Sequence, residues 1–438
     1  MALLKRFRWQ FFHHFTHYQE SKLLFLIIPV FVLSCSSPKT FIEKKLEKAQ
    51  IEKYFVGFEL FDPATQQVLF ARNAHTYFNP ASNTKIFTLF SALTTLNDSL
   101  VAFKYHEQGD TLFIKPAGDP TFLHPEFDSQ RTIDFLRSVN VSTISIIPDL
   151  LLDDPYAPGW AWEDYGYAFM PQRSALPLYG NVVTIFQNDS LVVKPAIFAS
   201  DISFQKEKYP RELTKNLFFI SEELKDTIHI PFLSSPELSR KLLENITLKN
   251  IEFTPKAPEN PWFIRYSHPV DSVLIPMMIN SDNFLAEQLM MAVSAVNRDS
   301  LSVQDAIEYT LDSLLPNLPD KPRWVDGSGL SRYNLFTPNS FVHVLHKLYD
   351  KIPDKKKLFA YFPAGGVNGT LKEWYGGEQS FIFAKSGSFS NNYCLSGYLI
   401  TKTGKTLIFS FMANHFTIPS REVKKELEIL LSGIRDRY

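Results

Sequence analysis

The chain has 438 residues, 45% of them apolar and 21% charged, which is ample for large buried cores and long enough for two or three domains. Its formal net charge is −1, and four basic and one acidic side chain fall in residues 1–34, which leaves a net of −4 on the remainder. No arginine-rich stripe follows residue 34, so nothing points to a nucleic acid as partner, and the mildly acidic surface suits a soluble envelope protein.

In chain order, a basic stretch ends at Lys22 and an apolar run from Leu23 to Leu33 follows. The run is shorter than the roughly 20 residues a membrane-spanning helix needs, and it fits the apolar core of a signal peptide over residues 1–34. Val32-Leu33-Ser34-Cys35 resembles a bacterial lipoprotein cleavage box, which makes Cys35 the candidate lipidated residue and the membrane a partner through a lipid anchor. An ordinary secretory signal with an incidental cysteine, or an uncleaved anchor, are the alternatives. The other cysteine, Cys394, sits in an apolar strand and is expected as a buried free thiol.

Phe41 to Gln50 has the pattern of a charged amphipathic helix, and Tyr54 to Leu60 and Val68 to Ala71 alternate as strands about a turn at Asp62-Pro63. Ser82-Asn83-Thr84-Lys85 then opens an apolar run from Ile86 to Leu93 without Gly or Pro, a buried helix starting near Ser82. Residues three apart share a helix face, so Lys85 reaches the Ser82 hydroxyl. A buried lysine with a lowered pKa is a base near neutral pH, and free N–H groups at a helix start suit an oxyanion. The S-x-x-K spacing recurs at Ser36–Lys39 and Ser203–Lys206, but there no long apolar helix follows.

Residues 97–261 carry short β runs punctuated by turns, including Thr111 to Lys115, Thr143 to Ile147, Val182 to Phe186 and Leu191 to Val193. They read as one or two inserted β-rich domains between two halves, 35–96 and 262–438, of a catalytic domain. Ser281-Asp282-Asn283 then opens another helix with apolar residues at helical spacing, in a place where Ser and Asp are common caps. In a catalytic setting Ser281 would relay a proton and Asn283 would bind a substrate amide.

His343 and His346 share a helix, but no further ligand is plainly spaced, and they read as core or surface histidines; no metal or cofactor is expected. Asp326 to Ser331 is a glycine-rich turn without a phosphate-loop frame. Phe381 to Ala384 leads as a strand into Lys385-Ser386-Gly387, then strands Tyr393 to Ile400 and Leu407 to Met412, and a helix from Ser420. A literal K-T-G, Lys402-Thr403-Gly404, falls at the tip of the tight hairpin between the last two strands and should be solvated. The strand of Lys385 can line a cleft, where Lys385, Ser386 and Ser388 would hold a substrate carboxylate. The two ends of the chain would share one sheet with the Ser82 and Ser281 helices packed on it.

These three strings in this order resemble the active site of a serine acyltransferase of the penicillin-binding kind. The resemblance extends to Gly118-Asp119-Pro120-Thr121, Trp160-Ala161-Trp162-Glu163-Asp164, Ser174-Ala175-Leu176 with Asn181, Asp326-Gly327-Ser328-Gly329-Leu330-Ser331-Arg332 and Gly369-Thr370-Leu371. Together they are similar to the D-alanyl-D-alanine carboxypeptidases of the penicillin-binding protein 4 type, the S13 serine peptidases, over nearly everything after the export signal. Ser386 in place of threonine and Glu163 in place of aspartate are the departures.

The resemblance implies the penicillin-binding, serine β-lactamase-like transpeptidase fold, an α/β antiparallel sheet flanked by helices. It implies carboxypeptidase and endopeptidase action on peptidoglycan stem peptides, an acyl-enzyme on Ser82 and trapping by β-lactam antibiotics. The oxyanion hole would be the N–H groups of Ser82 and Ser388, and Asp164 would line a pocket for the peptide's third residue. A β-lactamase of the same fold is the near rival, but Glu287, Glu308, Glu373 and Glu378 all lack the asparagine four residues on that its deacylating motif needs. A non-catalytic, surface-tethered wall-binding protein is the other, disfavoured by a full set of catalytic side chains.

Overall fold

The computed structural model describes residues 37–47, 53–148, 151–259 and 261–438; the signal-peptide and Cys35 expectations lie outside them. Helix α1 (Pro38–Leu46) starts at Ser37, whose hydroxyl accepts from Thr40 N, with Pro38 in the first turn where its missing N–H costs nothing. Strands β1 (Phe55–Asp62) and β2 (Gln67–Arg72) follow, and a 3₁₀ turn (Ala81–Thr84) runs into α2 (Lys85–Thr95).

The middle of the chain holds β3 (Ser99–Gln108), β4 (Thr111–Pro116), α3 (Gln130–Ser138), β5 (Thr143–Ile146), β6 (Val182–Gln187), β7 (Leu191–Lys194), β8 (Ile202–Ser203), β9 (Phe218–Phe219), β10 (Ile228–Pro231), α4 (Pro236–Thr247), β11 (Asn250–Phe253) and β12 (Phe263–Pro269). After it come α5 (Val270–Ile279), α6 (Asn283–Arg298), α7 (Val303–Tyr309), α8 (Pro338–Lys351), α9 (Lys355–Ala360), β13 (Ile382–Phe389), β14 (Asn392–Ile400), β15 (Thr406–Asn414) and α10 (Ser420–Arg437).

The first sheet is antiparallel, in the order β13-β14-β15-β1-β2, so a strand from the start of the chain pairs with one from its end. Alternation along the strands sorts side chains onto two faces. Tyr393, Leu395, Phe409 and Phe411 pack with Leu427, Leu430 and Leu431 of α10. Their neighbours Cys394, Tyr398, Ile408 and Met412 join the larger core of α2, α5, α6 and α8. Cys394 is the free, buried thiol expected, and burial pushes its pKa up.

The second sheet runs β11-β5-β4-β3-β12, with β11, β5 and β4 parallel and the rest antiparallel. Leu136 of α3 and Leu242 and Leu243 of α4 cover it. A small third sheet, β10-β6-β7, has its own core around Val183, Ile185, Phe218 and Phe232.

Two expectations change here. The insertion is not simply β-rich: α3 and α4 pack on a mixed sheet, and parallel pairs require such crossovers. The return to the first half also comes later than residue 262, because β12 is an edge strand of the second sheet on β3, and α5 begins the helical layer at Val270. The hairpin-tip lysine is placed as expected: Lys402 follows β14, Gly404 has φ +83°, and the ammonium lies 3.0 Å from Asp436 on the surface.

Candidate active site

Ser82 lies in the 3₁₀ turn before α2, and Lys85 is the first residue of the helix proper. Ala81 holds φ +45°, an uncommon value for a side chain with a Cβ, and it precedes the serine directly. Lys85 is fully buried. Its ammonium donates to Ser82 Oγ at 3.1 Å, Asn283 Oδ1 at 2.6 Å and the Ser328 carbonyl at 2.7 Å. Three acceptors match its three N–H bonds and favour the charged form. Burial outweighs them and the carboxylates of Asp282, Asp326 and Glu287, and brings its pKa down to about 8.

Ser281 sits at φ +60° between the end of α5 and the start of α6, and Asp282 caps α6 by accepting from Leu285 N at 2.8 Å. This strained corner aims Ser281 away from the helix and sends Asn283 inward as its first residue. Asn283 Nδ2 donates one N–H to the Phe169 carbonyl at 2.8 Å and carries a second.

Lys385 meets Ser281, as its strand position leads one to expect, but lies beneath it rather than in the open cavity. Lys385 is fully buried, and its ammonium donates to Ser281 Oγ at 2.9 Å and the Ser386 carbonyl at 2.8 Å. Burial and the nearby Lys85 charge push its pKa well down. Ser386 Oγ bonds Thr370 Oγ1 at 2.7 Å. Neither side chain lines the cavity: Lys385 is taken up by Ser281 and Ser386 by Thr370. Gly387 is where β13 crosses the nucleophile turn. A Cβ there would stand 2.3 Å from Pro80 O and 2.9 Å from Ser82 N, so only glycine lets strand and turn meet.

A cavity of about 470 Å³ opens over these groups, lined by Ser82, Ser281, Asn283 and Ser388 on the reactive side and by Asp164, Phe169 and Arg332 on the other. Burial raises the Asp164 pKa and Arg332 opposes that.

Local sequence patterns hardly mark the layer beneath. Asp326, fully buried, accepts from Gly329 N, Ser331 N, Asn334 Nδ2 and the Trp160 indole N–H. That folds the glycine-rich turn so the Ser328 carbonyl meets Lys85 and Gly329, at φ +80°, packs against Ala81. Glu287, one turn after Asn283, accepts from Ser328 N at 2.7 Å and pairs with Arg173 at 2.5 Å, both side chains buried. Gln288 donates to the carbonyls of Gly118 and Ser174. The signal was there in the ordered strings themselves, whose members bond one another. Among the described residues no group of three or more potential metal ligands occurs.

Comparison with known proteins bears on the family and the fold. The chain is 23% identical over 449 residues to the D-alanyl-D-alanine carboxypeptidase DacB of Haemophilus influenzae, covering 87% of this chain and 90% of that protein. The crystal structure of penicillin binding protein 4 from the same organism superposes with a TM-score of 0.70 at 18% identity, covering 90% of this chain and 97% of the other. A structure of that protein complexed with a β-lactam gives a TM-score of 0.64 at 19% identity, with the same coverage. The model of the D-Ala-D-Ala carboxypeptidase 3 (S13) family matches residues 39–191 and 236–436. With so much of its length matched, the chain belongs to the D-Ala-D-Ala carboxypeptidase 3 (S13) family.

Proposed function

We propose that Ser82 is the acylated nucleophile of a serine-type D-Ala-D-Ala carboxypeptidase and endopeptidase that acts on peptidoglycan stem peptides. The observation that carries this reading is the contact of a fully buried lysine, Lys85, with a half-buried serine, Ser82, at the wall of an open cavity. Neutral Lys85 takes the Ser82 proton as Oγ attacks the carbonyl carbon of the penultimate D-Ala. The N–H groups of Ser82 and Ser388 hold the oxyanion, and one such donor is worth about 10²–10³ in rate. Ser281, held by Lys385, passes a proton to the leaving D-Ala amine. The free N–H of Asn283 takes the donor amide carbonyl. Lys385 is thus a positioning residue that acts through Ser281, and the terminal carboxylate is held at the Ser388 hydroxyl above it. Water then cleaves the ester. A β-lactam enters the same cavity and stays as the acyl-enzyme.

Release of D-Ala from a free D-Ala-D-Ala peptide tests this reading, with intact-mass analysis after penicillin treatment. The wild type should turn over and gain one adduct mapping to Ser82, and Ser82→Ala should do neither; a full-strength adduct on Ser82→Ala would refute it. The setting is the bacterial envelope, and we propose a lipid anchor at Cys35 facing the periplasm, on the strength of the apolar run before that cysteine. Labelling with an alkyne fatty acid should mark the wild type and not Cys35→Ala; equal labelling of both refutes the anchor. Among the described residues no helix is long and apolar enough to cross a membrane.

A further inference from the structure

Two pairs of aromatic rings lie beside the catalytic cavity. The first includes Phe169, a cavity wall residue that is 44% exposed. Tyr167, also 44% exposed, stacks on it with centroids 5.7 Å apart and planes 5° from parallel. Trp162, 63% exposed, lies 6.1 Å from Tyr209, and the Lys208 ammonium sits 4.8 Å over the Tyr209 ring, within electrostatic reach of the Glu163 carboxylate.

Two loops make this surface, and they are locked together. Tyr165 OH donates to the Arg211 carbonyl at 2.9 Å, the Arg211 guanidinium lies 5.1 Å over the Tyr165 ring, and Gly166 is pressed onto Pro210 so closely that a Cβ would stand 2.8 Å from its ring. The second loop falls in residues 192–235, the stretch that the family model does not match, so Lys208 and Tyr209 lie outside the part of the chain that defines the family.

Exposed rings on a rigid frame call for an occupant. The occupant must suit rings whose polar edges, an indole N–H and phenol hydroxyls, alternate with Lys208 and Glu163, because a wholly apolar partner would strand those groups. It must also be continuous with whatever fills the cavity. A pyranose meets both conditions: its C–H face lies flat on an aromatic ring while its hydroxyls reach the ring's polar edge. A stem peptide in the cavity is attached to a polymer of such sugars. We propose that Trp162, Tyr167, Lys208 and Tyr209 form a carbohydrate-binding platform that holds the glycan strand carrying the peptide under cleavage. This rests on the reading of the cavity as the stem-peptide site.

The test compares free and glycan-borne peptide. D-Ala release is measured from a free D-Ala-D-Ala peptide and from glycan chains bearing the same peptide, and co-sedimentation with insoluble glycan stripped of all peptide is measured separately. Trp162→Ala and Tyr209→Ala should bind stripped glycan about fivefold less and raise KM for glycan-borne peptide by a similar factor, as expected for loss of one ring contact. Both should leave kcat/KM on free peptide unchanged, and Trp162→Phe, which keeps a ring face, should recover much of the loss. Wild type that ignores stripped glycan, or variants that alter both substrates equally or neither, overturns the platform. Self-association lost in the variants would assign the surface to a second copy instead. Failure of wild type on free peptide strikes at the catalytic reading, and the binding arm still decides the platform.

Discussion

Lys85 is pulled in two directions, and the balance sets a pH dependence. Burial favours the neutral amine, while three hydrogen-bond acceptors and the carboxylates of Asp282, Asp326 and Glu287 favour the ammonium. The result is a pKa of about 8, below the ordinary 10.5 for lysine. The neutral form is the one that accepts the Ser82 proton, and it fills as pH rises through that value. At pH 7 about a tenth of the enzyme is ready, and kcat/KM should climb about tenfold per pH unit before levelling near pH 8. Asp282→Asn removes the leading carboxylate yet keeps a side chain that caps a helix well, so its limb should move to lower pH with the fold intact. A pH–rate profile on a free D-Ala-D-Ala peptide reads both; a flat wild-type profile from pH 6 to 9, or an upward shift in Asp282→Asn, would remove Lys85 as the base.

At the level of elements, the sequence was most readable where a pattern is local. The apolar run after Ser82, the cap at Asp282 and the alternation of the last three strands each point to one structure, and α2, α6 and β13 to β15 form there. The choice between two K-[ST]-G strings was legible for the same reason, since Gly404 at φ +83° makes a hairpin tip and Gly387 makes a crossing. What a side chain does within a strand was less legible. Lys385 and Ser386 were expected on the cavity wall, and which face of β13 they occupy follows from where the strand crosses the Ser82 turn, a contact between residues far apart in sequence. The edge strand β12 is not marked by the sequence, because a short exposed strand names its partner only through pairing, here with β3. Helices α3 and α4 are masked by the short β runs around them, although both have strongly one-sided apolar patterns and α4 opens with Ser235 capping and Pro236 in its first turn. The scaffold role of Asp326 was hidden too, since it was read only as part of a turn.

Across the whole molecule, the site depends on an ion pair that joins the loop from the insertion to the helix of the second motif. Arg173 meets Glu287 of α6 at 2.5 Å and Asp153 at 3.5 Å, and all three side chains are largely or wholly shielded from water. Glu287 also accepts from Ser328 N, whose carbonyl holds Lys85. One carboxylate therefore links the insertion to the base. Burial raises the Glu287 pKa, and the Arg173 guanidinium beside it opposes that rise. Removing one partner of such a pair leaves an uncompensated buried charge, which typically costs about 3–5 kcal/mol, whereas removing both charges can be nearly neutral. Arg173→Met should thus be strongly destabilised in urea unfolding at pH 7. Adding Glu287→Gln removes the orphaned charge and keeps an oxygen for Ser328 N. The double variant should be more stable than Arg173→Met alone, with a coupling of about 1–3 kcal/mol between the two sites. It should also regain acylation by penicillin, because the Ser328 carbonyl returns to Lys85. Strictly additive losses in the double variant would mean that Arg173 serves only to pack against the Trp160 ring, 5.5 Å from its guanidinium, and that the pair carries no charge between the two parts of the fold.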